Sequence, residues 1–217
     1  LQTLGQIVGH MEEQSVNFSK AEASPVDVSA LEKETVVPKS VPRYRLEIER
    51  MPRTGLSLPA VFDSSIYVLS ADERLKSDLE IALRRVQLSV VSQLESANLL
   101  IDLRPLQHFE SPEAAQRSAL ELLLSIQAMK DTPKGVVAVI DLGGTFGTEL
   151  TALEPALAAG VAGVVKTAAQ EWSNACCRVI DLACAGRSRM ELSEVIVQEL
   201  ITGGTHLEVG YPASGKR

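Results

Sequence analysis

Residues 135–141 form an uninterrupted apolar run of strand length, Gly-Val-Val-Ala-Val-Ile-Asp. A strand that is apolar on both faces is typical of a parallel sheet covered by helices on each side. The other strand-like runs share its short length, and they lie at 65–69, 99–103, 177–182 and 206–211. Helical patterns separate most of these runs. This alternation predicts an α/β fold with a doubly wound, mostly parallel sheet.

Capping signals mark where the helices of this fold begin. They are Ser70-x-x-Glu73, Ser111-Pro112, Thr151-x-x-Glu154 before Pro155, and Ser188-x-x-Glu191. The helices that they introduce are expected to end near Gln93, Lys130, Trp172 and Ile201, the last stopping at Gly203-Gly204. The resulting order of strands and helices makes the predicted sheet Rossmann-like.

Three details of the helices lead to further expectations. Residues 112–130 are apolar on nearly every side, which predicts a helix sandwiched between layers. Gly160 and Gly163 predict that the following helix closely approaches a strand. In the first helix, the β-branched stretch 87–91 leaves a strand open as the alternative.

Both ends of the predicted folded region alternate apolar and polar residues. Residues 44–50 and 206–211 show this pattern, which indicates strands with one covered face. We expect both to be edge or surface-exposed strands, whose free hydrogen-bonding groups invite pairing with another partner.

Charge and composition exclude two classes of partner. Lys and Arg number 21 against 28 Asp and Glu, a net charge of −7, and only 4% of residues are aromatic. This balance disfavours binding to the phosphate backbone or the bases of nucleic acid. No apolar run approaches bilayer length, and the first residues lack the pattern of a signal peptide. We expect a soluble, cytoplasmic protein that binds neither nucleic acid nor membrane.

A doubly wound sheet prompts a search for the dinucleotide motif G-x-G-x-x-G, whose glycines let the backbone approach a pyrophosphate. The nearest stretch is Asp141-Leu-Gly143-Gly144-Thr-Phe-Gly147, with the spacing G-G-x-x-G. Residues 148–153 separate it from the next helix, and no acidic residue ends a strand about 20 residues later. We interpret it as a plain glycine-rich turn and predict no cofactor-binding residues.

Catalytic groups are not recognisable either. A reductase of the short-chain type needs Tyr-x-x-x-Lys or Tyr-x-x-x-Asn, and none of Tyr44, Tyr67 and Tyr211 fits. These tyrosines are interpreted as strand residues with solvated hydroxyls. The G-x-S-x-G motif of α/β hydrolases is also missing.

The remaining reactive side chains favour structural interpretations. The histidines, His10, His108 and His206, lack metal-ligand spacing, so no metal is predicted. The cysteines, Cys176, Cys177 and Cys184, lack C-x-x-C spacing and are expected to be reduced, packed and non-catalytic. Asp102 and Asp141 lie near the carboxyl ends of predicted strands, where sites occur in such folds. Arg104 follows Asp102, which favours a local ion pair or a turn hydrogen bond.

Several segments resemble one family. Ala159–Trp172, then Cys177–Leu182, then Gly203-Gly204-x-x-x-Glu208-Val209-Gly210, resemble the structural subdomain of ketoreductases in multifunctional polyketide and polyunsaturated fatty acid synthases. Residues 44–47 are similar to the strand that opens such ketoreductases, and residues 141–147 to a turn of that subdomain. Residues 1–11 resemble the last helix of an acyl carrier protein, although the carrier's Asp-Ser-Leu motif is not in this chain. A carrier placed before a ketoreductase is the order of the iterative synthases.

The resemblance implies three parts. Residues 1–12 would be the C-terminal helix remnant of an acyl carrier protein, 13–42 a flexible linker, and 43–217 a truncated, short-chain-reductase-like structural subdomain. In the family this subdomain has no active site and braces a catalytic half, which binds NADPH and reduces a β-ketoacyl thioester. The catalytic half would begin near Arg217. The chain alone is therefore expected to be inactive, with NADPH in the other half, and its partners are the catalytic ketoreductase subdomain and the acyl carrier protein.

Two alternatives remain open. The chain could be a non-enzymatic docking module tethered to an acyl carrier protein. It could also be a divergent stand-alone NAD(P)-binding reductase that uses the turn Gly143–Gly147.

Overall fold

The computed structural model describes residues 47–107, 109–129, 133–149, 154–172, 175–215 and 217. The strands are β1 (Ser65–Leu69), β2 (Ser89–Val90), β3 (Leu99–Asp102), β4 (Gly135–Ile140), β5 (Cys176–Leu182) and β6 (Glu208–Tyr211). The α-helices are α1 (Glu73–Arg85), α2 (Pro112–Gln127), α3 (Ala159–Glu171) and α4 (Arg189–Thr202).

All six strands pair in parallel, in the order β2-β1-β3-β4-β5-β6. Every residue of β3, β4 and β5 is buried, as their apolar sequences require when both faces of a sheet are covered. Helices α1 and α4 pack together on one face, and α2 and α3 on the other. The predicted α/β fold with a Rossmann-like sheet is confirmed.

Two apolar cores hold the helices to the sheet. On one face Leu79 and Leu83 of α1 meet Ile196 of α4 over the strands. On the other face Leu122 of α2 and Val165 of α3 pack against the opposite sides of the same strands. Full burial of one such side chain stabilises the fold by about 1.5–3 kcal/mol.

Two of the four capping signals place helix starts correctly; of the other two, Thr151 lies outside the described residues, and the α-helix that follows it begins at Ala159. Ser188 and Glu191 form the predicted capping box, and the Ser111 hydroxyl accepts the N–H of Ala114. At α1 the cap is Asp72 rather than Ser70, because the Asp72 carboxylate accepts the first free N–H groups of the helix. The helix ends at Arg85, well before Gln93, and the alternative strand within 87–91 is confirmed as β2.

Two expectations about helix packing are wrong. Helix α2 is not sandwiched, since Leu120 and Leu124 are 49% and 54% exposed. A two-faced sheet carries one helix layer on each side, so every helix keeps an outer face. The glycines of α3 do not approach a strand either. A Cβ at Gly160 would contact Ala119 of α2, and one at Gly163 would contact nothing within 4 Å.

The two alternating segments have different outcomes. Residues 206–211 contain the predicted edge strand, shortened to β6. Of residues 44–50, the described part is 47–50, which is exposed and belongs to no strand, so the prediction is wrong there. Alternation indicates a strand only where something covers its apolar face. The predictions for residues 1–12 and 13–42 lie outside the described residues.

Candidate functional site

The carboxyl end of the sheet is where ligands bind in open α/β folds, above all where the strand order reverses. Here that reversal lies between β1 and β3. Aspartates stand at the ends of three successive strands: Asp102 closes β3, Asp141 follows β4, and Asp181 is the penultimate residue of β5. A functional site is therefore expected at this edge of the sheet.

Asp102 forms a salt bridge with Arg104. The Arg104 guanidinium donates to both carboxylate oxygens, with Nε–Oδ1 2.9 Å and Nη2–Oδ2 2.8 Å. The Arg104 backbone N–H donates to the same carboxylate at 3.0 Å, which closes a tight turn after β3. Burial acts to lower the pKa of Arg104, but the hydrogen bond to Asp102 and the charges of Asp102 and Glu121 together outweigh it, so that pKa is raised. Both predicted roles, ion pair and turn hydrogen bond, are confirmed.

Asp181 holds the glycine-rich turn. Its fully buried carboxylate accepts the backbone N–H of Leu142 at 2.7 Å on Oδ1 and that of Phe146 at 2.6 Å on Oδ2. These donors are the kind that would face a phosphate in a dinucleotide site. In this chain they face an internal carboxylate.

Packing explains why the turn needs a glycine at its centre. Gly144 has a φ of +76°, and a Cβ there would overlap the backbone of Tyr211 and Pro212 at the end of β6. The close contact also excludes a side chain on the other partner, because a Cβ at Gly210 would overlap the carbonyl of Gly144. The turn is thus pressed against the edge strand, which agrees with its interpretation as a structural turn.

Asp141 joins the turn to the loop after β5. Its carboxylate accepts the N–H of Gly143 at 3.1 Å and the N–H of Cys184 at 3.0 Å. Burial raises the pKa of the Asp181 carboxyl, and the charge of Asp141 adds to this, while the turn's N–H groups act to lower it. Burial, reinforced by Asp141, also raises the pKa of the Cys184 thiol to about 12. At neutral pH that thiol is protonated and a poor nucleophile.

Tyr211 was expected to have a solvated hydroxyl, and this is wrong. Its side chain is buried, and its hydroxyl donates to Glu199 and accepts from Arg53 Nε at 3.2 Å. Burial and the contact with Glu199 raise the pKa of Tyr211 to about 12. A reductase tyrosine needs the opposite shift, since it must give up its proton near neutral pH. Tyr67 is partly buried beside Lys76, and Tyr44 lies outside the described residues.

Sequence reasoning missed a cluster of buried charged side chains on the face of the sheet that carries Tyr211. Glu199 Oε1 accepts from Arg178 Nη1 at 2.7 Å and from Arg217 Nη2 at 2.9 Å. Arg178 lies within β5, is fully buried, and also donates to the carbonyls of Glu199, Gly204 and His206. The signal was present in the sequence, because an arginine in the middle of a buried strand must find a buried partner.

The other singled-out residues take structural positions. Cys176 and Cys177 are buried free thiols, and Cys176 donates to the carbonyl of Pro59. Burial raises the pKa of Cys177 to about 11. His206 is in the loop before β6, where its carbonyl accepts from Arg178. His10 and His108 lie outside the described residues.

Comparisons with known proteins identify no relative: no family model, curated protein or solved structure matches the chain. Within the ranges that the structure describes, no helix is long and apolar enough to cross a bilayer. In the same ranges, no group of three or more His, Cys, Asp or Glu side chains is placed to hold a metal ion.

Proposed function

We propose that this chain is the non-catalytic structural half of an NADPH-dependent β-ketoacyl reductase domain in a multifunctional polyketide or fatty acid synthase. The observation that carries the proposal is the occupation of the glycine-rich turn by Asp181. The fold has the architecture of a nucleotide-binding domain, but the N–H groups that such a domain offers to a phosphate are bound within the chain. The resemblance to the structural subdomain of ketoreductases implies the role that we propose, which is to support a catalytic half.

Edge strand β6 is the surface that we propose for contact with the catalytic half. The carbonyl of Leu207 accepts from Val179 of β5, and that of Tyr211 accepts from Ala183 just after β5. The alternating residues Glu208 and Gly210 therefore direct their backbone groups outward. Among the described residues no strand pairs with this edge of β6, and a free edge offers hydrogen bonds to a strand from another domain.

The alternative of a stand-alone reductase has one feature in its favour, the glycine-rich turn itself. Against it stand the carboxylate in that turn and the raised pKa of Tyr211. The alternative of a docking module on an acyl carrier protein differs in its partner, and binding experiments separate the two.

The first test is a fluorescence titration of the 217-residue chain with NADPH, followed by an assay of NADPH consumption with a β-ketoacyl thioester. We expect neither binding at micromolar concentrations nor turnover. Saturable binding would support the stand-alone reductase. In that case Gly143→Ala should weaken binding without unfolding the chain, because the added Cβ meets only Thr145, at 4.0 Å, and the strain at a φ of +81° costs only about 1–2 kcal/mol.

The second test is co-expression with a ketoreductase catalytic subdomain that carries Ser and Tyr-x-x-x-Asn. We expect the two to co-elute and the pair to reduce the thioester. Glu208→Pro removes an outward N–H donor and should weaken the complex, whereas Glu208→Ala keeps that donor and should not. Co-elution with an acyl carrier protein but not with the catalytic subdomain would refute the proposal in favour of the docking module.

A further inference from the structure

The turn after β4 has the geometry of an anion site as well as that of a structural loop. The backbone N–H groups of Leu142 and Phe146 converge on the two oxygens of one carboxylate. Gly143 and Gly144 have φ of +81° and +76°, and Phe146 has φ of +51°. Left-handed residues in succession turn neighbouring N–H groups to one side, which forms the concave arrangement that binds phosphates in other proteins.

The charge of Asp181 is compensated by this turn alone. Asp181 is fully buried, and among the described residues no Lys or Arg nitrogen lies within 4.0 Å of its carboxylate. The charged side chain that acts on Asp181 is Asp141, and its negative charge repels that of the Asp181 carboxylate. Asp102, by comparison, has the Arg104 guanidinium as its partner. A carboxylate held only by backbone N–H groups is bound as a free anion would be.

The bonds themselves are those of a bound anion. At 2.7 Å and 2.6 Å, each to a different oxygen, they are as short as charge-assisted bonds to an oxyanion. We propose that the turn 142–146 is a cradle for a small oxyanion, the chemistry shared by a carboxylate and a phosphate group, and that Asp181 fills this cradle from within the chain. The proposal concerns the turn alone and does not depend on the reductase assignment.

Removing the carboxylate should therefore create a binding site. Asp181→Gly removes a group of the size of acetate, and Asp181→Ala removes one of the size of formate. Each variant should unfold at a lower temperature than the wild type because the N–H groups lose their acceptor. Addition of the matching anion should restore part of the loss in a saturable manner.

The experiment measures the melting temperature of the full chain in rising concentrations of acetate, formate or inorganic phosphate, with chloride at equal ionic strength as reference. For Asp181→Gly we expect acetate or phosphate to raise the melting temperature by roughly 3–6 °C over chloride at ten times the Kd. For Asp181→Ala we expect the same of formate. The wild type should show no such difference.

Leu83→Ala is the matched control, because Leu83 lies in the core on one face of the sheet, whereas Leu142 of the turn packs in the core on the other face. If the anions stabilise Leu83→Ala as much as Asp181→Gly, the effect is a general one of salts on stability and the proposal is wrong. The proposal is also wrong if no anion exceeds chloride with either Asp181 variant.

A variant that does not fold in chloride is tested by refolding from urea in acetate, formate or phosphate. A higher yield of folded protein than in chloride supports the cradle, and an equal yield refutes it. The NADPH titration of the wild type is a separate measurement, so failure of either proposal is recognised independently of the other.

Discussion

Replacing Glu199 by glutamine should remove much of the stability of this domain. The wild-type carboxylate compensates two buried guanidinium groups, at 2.7 Å to Arg178 and 2.9 Å to Arg217. Their side chains are 0% and 7% exposed, so water cannot replace the lost charge. Glutamine keeps the volume and one acceptor oxygen, but it leaves two like charges facing each other in a dry site.

The size of the loss follows from the cost of an unpaired buried charge. Breaking a buried ion pair from one side costs about 3–5 kcal/mol, compared with about 5–15 kcal/mol for the whole stability of a typical domain. The amide NH₂ of glutamine also meets the Tyr211 hydroxyl, which donates to the wild-type carboxylate. We therefore expect the upper part of this range.

Urea unfolding monitored by far-UV circular dichroism measures the effect. The matched control is Glu208→Gln, which breaks the exposed Lys166–Glu208 pair at 3.0 Å and should cost less than about 1 kcal/mol. A loss below 1 kcal/mol for Glu199→Gln, with an unchanged denaturant slope, would show that the cluster is not closed to water and would refute this reasoning.

Three further outcomes can be checked by simple measurements. Gly144→Ala should lower the free energy of unfolding in urea by roughly 3 kcal/mol or more, because strain at positive φ adds to overlap with the end of β6. Gly143→Ala has the same kind of strain but no overlap, so its free energy of unfolding should fall by about 1–2 kcal/mol. Equal losses for the two variants would contradict the packing of Gly144 against β6. Cys184 in the folded protein should be alkylated at pH 8 roughly fiftyfold more slowly than Cys184 in the unfolded chain. The rate in the folded protein should keep rising with pH towards the thiol's pKa of about 12. Equal rates in the folded and unfolded chain would mean that the native thiol is an accessible thiolate. Asp72→Ala should cost about 1 kcal/mol in thermal unfolding and Ser70→Ala only a few tenths, and the reverse order would place the cap of α1 at Ser70.

Local sequence patterns predicted the layers of this fold well. The continuous apolar runs of β3 to β5 required burial on both faces, and the cap at Ser111 and the capping box at Ser188 follow from short-range hydrogen bonds. The exposed outer face of α2 was not predictable in this way. Periodicity shows that Leu120 and Leu124 are apolar, but it does not show whether another layer is available to cover them.

The candidate site depends on contacts between residues far apart in sequence. Asp181 lies 35 residues after Phe146, and no local motif joins the two. The glycine spacing correctly indicated a turn, but the side chain that occupies it is known only once β4 and β5 lie side by side. The same holds for Tyr211, whose alternating strand suggested a solvated hydroxyl until the partner on α4 was placed.

The Arg217 side chain has a mechanical consequence. Its guanidinium reaches the carbonyls of Met51 and Pro52, at 3.4 Å and 3.2 Å, while the bridge between Leu56 and Gly203 ties down the adjoining backbone. The first and last described segments therefore leave the sheet at one corner. A tensile load applied between them would peel β6 from its neighbour bond by bond, and the central strands would carry force only after that edge had come away.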